Sequence, residues 1–121
     1  MKTAFIIIIM VLIPVGGQAA DKWSSQDIAL EGVYLGLMVL DWGTTLDIAE
    51  RPREYREFNP FLGAHPARAQ VNVYFLASGI LHVGITHFLP AKCRPYWQAV
   101  TIGISGASVA NNLSIGLKFA W

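Results

Sequence analysis

Three apolar segments, residues 28–48, 71–89 and 97–119, constrain this chain more than any other feature. Each is close to the roughly 20 residues that an α-helix needs to cross the hydrocarbon of a bilayer. Prolines punctuate them. The connection 49–70 is polar and holds Pro52, Pro60 and Pro66, and the second connection, P-A-K-C-R-P-Y, carries Pro90 and Pro95. Such breakers belong at segment ends. Composition points the same way, because only 14% of the 121 residues are charged, against about 25% in ordinary soluble domains. The expected fold is therefore an all-α membrane protein of three transmembrane helices.

The first residues read as a secretory leader. Lys2 supplies a basic start, an apolar core runs through Val15, and Gly17-Gln18-Ala19 is a small-x-small cleavage site. The core is shorter than the roughly 20 residues of a spanning helix. Residues 1–19 are thus expected to be a signal peptide and residues 20–121 the three-span membrane domain. Export of the new N-terminus would put the first connection in the cytoplasm and the second outside. Lys and Arg then number five inside (Arg51, Arg53, Arg56, Arg68, Lys118) against three outside (Lys22, Lys92, Arg94), in the sense of the positive-inside rule. The expected location is the bacterial inner membrane, N-terminus periplasmic and C-terminus cytoplasmic, with Trp23, Tyr96, Trp97 and Trp121 near the segment ends as an interfacial belt.

A small outer-membrane β-barrel is the competing architecture. The last residues, L-S-I-G-L-K-F-A-W, alternate and end on an aromatic, and residues 71–89 carry apolar or small side chains at nearly every odd position. Against it, residues 35–40 are continuously apolar. Eight strands of about 9–11 residues would also consume nearly all of the mature chain.

Polar residues inside apolar segments are the candidates for function, since a charge there costs at least ~2.5–3.5 kcal/mol. Asp41, Thr44 and Thr45 in the first segment, His82 in the second and Asn111 and Asn112 in the third form the expected polar cluster, with His82 or the Asn pair facing the carboxylate. Gly32 and Gly36, a GxxxG pair, and Gly103 with Ala107 are the expected helix-packing surface, within the bundle or between copies. The first connection holds a second motif, Glu57, Asn59, Pro60 and His65. Arg53 and Glu57 stand at i, i+4, which suits an interfacial helix before Asn59-Pro60 turns the chain, and a plain solvated connector is the equal alternative.

Several chemistries find little footing. Cys93 is the only cysteine, so no intramolecular disulfide and no Cys-based zinc site can form. His82 and His87 are five apart and point to different sides of a helix, so no metal and no cofactor is expected. No Lys/Arg run interleaved with aromatics marks a nucleic-acid partner. Gly103-Ile-Ser105-Gly106 matches the GxSG of rhomboid-type intramembrane proteases, with His82 or His87 as the base. That family needs about twice as many helices as this chain supplies, so no catalytic residue is assigned.

The pattern Asp41-W-G-Thr44-Thr45, then Glu57-F-Asn59-Pro60-F-L-Gly63-A-His65-Pro66, then Val71-Asn72-x-Tyr74-Phe75, His82, Leu89-Pro90, Trp97-Gln98 and Asn111-Asn112 resembles a group of uncharacterised small integral membrane proteins of bacteria and their phages. The likeness covers nearly the whole mature chain, and its D-x-x-T-T … E-x-N-P core is similar to a broader set of bacterial membrane domains. It implies a bacterial or phage origin and a membrane location, and it carries no activity. The expected role is a non-enzymatic accessory or interaction subunit, partnered by the lipid bilayer and by a second copy or another membrane protein. A phage holin-like pore former is the alternative.

Overall fold

The computed structural model describes residues 20–121, so the leader expected over 1–19 lies outside the described residues. Three helices follow one another: α1 (Ser25–Glu50), α2 (Arg68–Phe88) and α3 (Arg94–Ser114). There is no strand among the described residues, which overturns the barrel alternative. Residues 71–89 fall almost wholly in α2, where the buried positions Val71, Phe75, Gly79, His82 and Thr86 recur every three or four residues. That burial period is helical, whatever the alternation of small side chains suggests.

Local chemistry sets the ends. α1 starts three residues before the apolar segment because Ser24 and Asp27 form a capping box, with the Asp27 N–H donating to Ser24 Oγ at 3.0 Å and the Ser24 N–H to Asp27 Oδ2 at 2.9 Å. It stops before Pro52, whose ring pushes Arg51 out of the helical region (φ −120°, ψ 56°). At the start of α2, Gln70 Oε1 accepts the Ala67 N–H at 2.8 Å, and Pro95 sits in the first turn of α3, where a missing N–H costs nothing.

The third apolar segment does not stay helical to its end. Gly116 adopts φ +95°, open to glycine without strain. The chain there turns back on α1, with the Lys118 N–H on Asp47 Oδ2 at 2.8 Å and the Ala120 N–H on Gly43 O at 3.1 Å. The expected interfacial helix around Arg53 and Glu57 is likewise absent. Residues 52–54 form a turn instead, in which the Glu54 and Tyr55 N–H groups both donate to Arg51 O.

α1 is the central helix; α2 and α3 pack on it and diverge from each other. The resulting bundle is inverted relative to a water-soluble one. Asp27, Glu31, Thr44, Thr45, Asp47, His82, Thr86, Arg94, Gln98 and Asn112 are buried, while Ile28, Val33 and Val39 of α1, Val73, Leu76 and Ile80 of α2, and Val100 and Ile104 of α3 are exposed. One helix among the described residues, α2, is long and apolar enough to cross a membrane (mean hydropathy 1.3). A smaller apolar core of Tyr34, Met38, Leu46, Leu62, Val71 and Phe75 ties α1 to α2 and to the first connection.

The expected packing glycines are not where the helices meet. A Cβ at Gly32, Gly36 or Gly103 would find no atom of the bundle within 4 Å, and Ala107 is exposed. They face outward because the opposite sides of α1 and α3 hold the polar contacts. The close approaches are elsewhere: at Gly79, under Met38, and at Gly43, where a Cβ would lie 2.5 Å from the Trp121 ring.

Candidate functional site

The polar interior is built on two matched stripes. Along α1 the sequence places Asp27, Glu31, Tyr34, Met38, Asp41 and Thr45 at alternating spacings of four and three, and along α3 Arg94, Gln98, Thr101, Ser105, Ser108 and Asn112 repeat that spacing. This is the heptad geometry by which two helices keep one seam in contact, here occupied largely by hydrogen-bonding side chains.

At one end of the seam Arg94 is fully buried, and its guanidinium nitrogens are all engaged. Nε donates to Thr86 O at 2.8 Å and Nη2 to His87 O at 2.9 Å, which caps the final carbonyls of α2. Nη1 reaches Asp27 Oδ2 at 3.2 Å and Lys22 O at 3.0 Å, and Nη2 also reaches Asp21 O at 2.8 Å. Burial would push the Asp27 carboxyl up, but hydrogen bonds from Ser24 and Arg94 and the Arg94 charge hold it below the ordinary carboxylate value.

One turn further in, Glu31, His82 and Thr101 form a chain. Glu31 Oε1 lies 2.7 Å from His82 Nδ1, and His82 Nε2 lies 2.8 Å from Thr101 Oγ1. The imidazole is clamped between the Tyr34 ring, centroids 3.5 Å apart, and the Trp97 ring at 5.0 Å. Thr101 Oγ1 is also 3.0 and 3.1 Å from the carbonyls of Trp97 and Gln98. Its proton serves the helix backbone, so His82 Nε2 is assigned as the donor to the hydroxyl, and the contact of Nδ1 with Glu31 Oε1 then takes a second proton, carried by the ring or by the carboxyl. Glu31 Oε2 accepts from Gln98 Nε2 at 3.0 Å and Thr86 Oγ1 at 3.2 Å.

Asp41 occupies a separate centre. Its Oδ1 accepts from Asn112 Nδ2 at 3.1 Å, from Ser108 Oγ at 3.3 Å and from Thr45 Oγ1 at 3.5 Å, and Asn112 Nδ2 also reaches Thr44 Oγ1 at 2.9 Å. Of the six residues expected to cluster, Asp41, Thr44, Thr45 and Asn112 come together. His82 does not join them, because it pairs with Glu31, ten residues and therefore about 15 Å before Asp41 along α1. Asn111 is exposed on the outer side of α3, about 100° round the helix from Asn112.

Between the two centres, where α2 and α3 diverge, lies a cavity of about 240 Å³. Tyr34 and Asp41 line it from α1, Tyr74 from α2, Thr101 and Ser105 from α3, and Asn59 from the first connection. The two loop-and-helix motifs of the sequence thus share one wall. Glu57 shapes that loop: its Oε1 accepts the N–H groups of Phe58 and Asn59 at 3.0 and 2.9 Å, and Asn59 Oδ1 accepts the Phe61 N–H at 3.0 Å. Pro60 and His65 are exposed. At the opposite end from Arg94, Arg51 pairs with Asp47, whose carboxylate holds the guanidinium above its ordinary value.

Ser105 lines the cavity without a histidine beside it, since His82 is committed to Thr101 and His87 is exposed, accepting from Trp23 Nε1 at 3.1 Å. Among the described residues no three His, Cys, Asp or Glu side chains gather as a metal set. Glu31, Arg94, Gln98, Thr86 and Thr101 were not singled out from the sequence. The four-three spacing of polar residues along α1 and α3 is the signal that marks Glu31, Arg94, Gln98 and Thr101, while Thr86 stands one turn after His82 on α2. Comparison with protein-family models, curated proteins and solved structures finds no match for this chain.

Proposed function

We propose that the chain is an integral membrane protein that crosses the bilayer three times and acts as a non-enzymatic interaction subunit. The observation that carries this reading is the inversion of polarity, with buried charges and amides inside and Ile, Leu and Val outside on all three helices. Large exposed apolar surfaces of that kind mark sites of contact with membrane or with other proteins. Only α2 has the hydropathy of a span by itself. α1 and α3 fall below it largely because of side chains that satisfy one another across the seam, and the faces left for lipid are mainly apolar, with Asn111 near the end of α3 as an exception. All three helices have the length, since 21 residues span about 31 Å.

The interaction role is supported by the small residues that the bundle leaves unused. Gly32 and Gly36 on α1 and Gly103 and Ala107 on α3 open outward, and such surfaces let helices of neighbouring chains approach closely in lipid. The orientation that goes with this reading is the periplasmic N-terminus and cytoplasmic C-terminus of an inner-membrane protein.

Alkaline carbonate extraction of membranes from expressing cells tests the reading directly. A three-span protein stays in the pellet, and release into the supernatant would refute it. Cys93, the only thiol, lies in the second connection and gives the orientation. A membrane-impermeant maleimide is expected to label it from the periplasm of intact cells, and labelling only after lysis would reverse the topology.

A further inference from the structure

The Asp41 carboxylate is half used. Its three hydrogen bonds all fall on Oδ1, and Oδ2 accepts none among the described residues. Nor does it have a counter-ion among them: Asp27 pairs with Arg94, Asp47 with Arg51 and Glu50 with Arg68, and Glu31 is hydrogen-bonded to His82, whereas no described Arg, Lys or His stands within ion-pair distance of Asp41. Among the described residues, no cationic side chain lines the cavity it borders. An unpaired carboxylate in a low-dielectric interior is costly unless it takes up a proton or something positive meets it.

The walls say what kind of cation fits. About 240 Å³ is the space of roughly eight waters at about 30 Å³ each, far more than a bare alkali ion fills. A hard metal ion also needs several charged oxygens converging on one point, and here the lining holds one carboxylate, its other oxygens being neutral hydroxyls and an amide, together with the aromatic residues Tyr34, Tyr74 and Phe75. Rings attract cations whose charge is spread over carbon-bearing nitrogen. The hydroxyls of Ser78 and Ser105 can accept N–H bonds.

The geometry points to a binding site for a small organic ammonium ion, its nitrogen on Asp41 Oδ2 and its carbon body against the aromatic wall, with Asn59 of the E-x-N-P loop at the rim. This deepens the proposed function by naming a ligand class for the bundle. It rests on the bilayer reading only for where the site sits, so carbonate extraction and ligand titration fail independently.

The test is thermal unfolding of the full chain in mild detergent, titrated with methylammonium, ethylammonium and tetramethylammonium chlorides against sodium and potassium chloride at equal ionic strength. A saturable rise in Tm with an organic ammonium and none with the alkali salts is expected. Asp41→Asn keeps an acceptor for Asn112 and Ser108, so it should retain helicity and weaken binding at least about tenfold, the scale of one charge-assisted hydrogen bond. Ser105→Leu fills the cavity from α3 without touching the carboxylate and should abolish the shift; it decides the matter if Asp41→Asn does not fold. The inference is overturned if no ammonium ion shifts Tm, if sodium or potassium acts as well, or if Ser105→Leu or a folded Asp41→Asn binds like the parent.

Discussion

Replacing Arg94 by methionine tests whether the polar seam, and not the apolar core, holds the outer end of the bundle. The side chain is fully buried and binds the Asp27 carboxylate, two carbonyls at the end of α2 and two in the segment before α1. Methionine fills similar space but leaves the carboxylate without its partner and four carbonyls without this donor. Removing one member of a buried ion pair costs about 3–5 kcal/mol, a large share of the roughly 5–15 kcal/mol that a domain has. Circular dichroism during chemical unfolding in mild detergent measures it. Arg94→Lys should recover little, because one ammonium cannot reach carbonyls on both sides of the seam. The double variant Asp27→Leu with Arg94→Met should lose less than Arg94→Met alone, since it removes the stranded charge. A loss below about 1 kcal/mol for Arg94→Met, the scale of an exposed pair, would refute the reasoning.

Three other perturbations probe separate parts of the structure. Gly43→Ala drives a Cβ to 2.5 Å from the Trp121 ring; it should undock residues 117–121 and leave the bundle helical, read as faster tryptic cleavage after Lys118, and unchanged cleavage would place that segment elsewhere. Gly32→Leu with Gly36→Leu should leave the stability of the single chain within about 0.5 kcal/mol, as for surface changes, while reducing cross-linking between chains; a strongly destabilised bundle would mean that the pair packs internally. Because Asp27 is held below its ordinary value of 3.8, its contribution to stability is complete above that pH and lost as pH falls through the lower folded value. Thermal scans from neutral to strongly acid pH should therefore show a steeper acid loss for the parent than for Asp27→Asn, and parallel curves would exclude that linkage.

The helical architecture was legible in the sequence because apolar length and proline placement act locally. The ends were less so: the Ser24–Asp27 box moves the start of α1 outward, and a single left-handed glycine at 116 cuts the third segment short. Within the site, Asp41 and Asn112 could be foreseen as partners because each is conspicuous in an apolar run. His82 could not be assigned correctly by depth alone. Its partner Glu31 sits near the start of α1, where an acid passes for part of a polar helix end, and only the antiparallel register of α2 brings the two together. The glycine pair was ambiguous for a related reason, since small residues signal close approach without saying whether the neighbour is in the same chain, and within the bundle they meet nothing.

The seam between α1 and α3 also governs how such a chain could enter a bilayer. α2 is apolar enough to partition alone, but α1 would bring Glu31 and Asp41, and α3 would bring Arg94, Gln98 and Asn112, into lipid with their partners still unmade. A charged residue at the centre of a helix adds about 2.5–3.5 kcal/mol to insertion. On the proposed three-span reading, α1 and α3 are therefore poor independent substrates and good joint ones, so α1 would have to wait at a protected interface until α3 has been synthesised. Stable integration then becomes a late event set by completion of the chain, and a copy truncated before α3 would be left with an exposed acidic stripe for quality control to recognise.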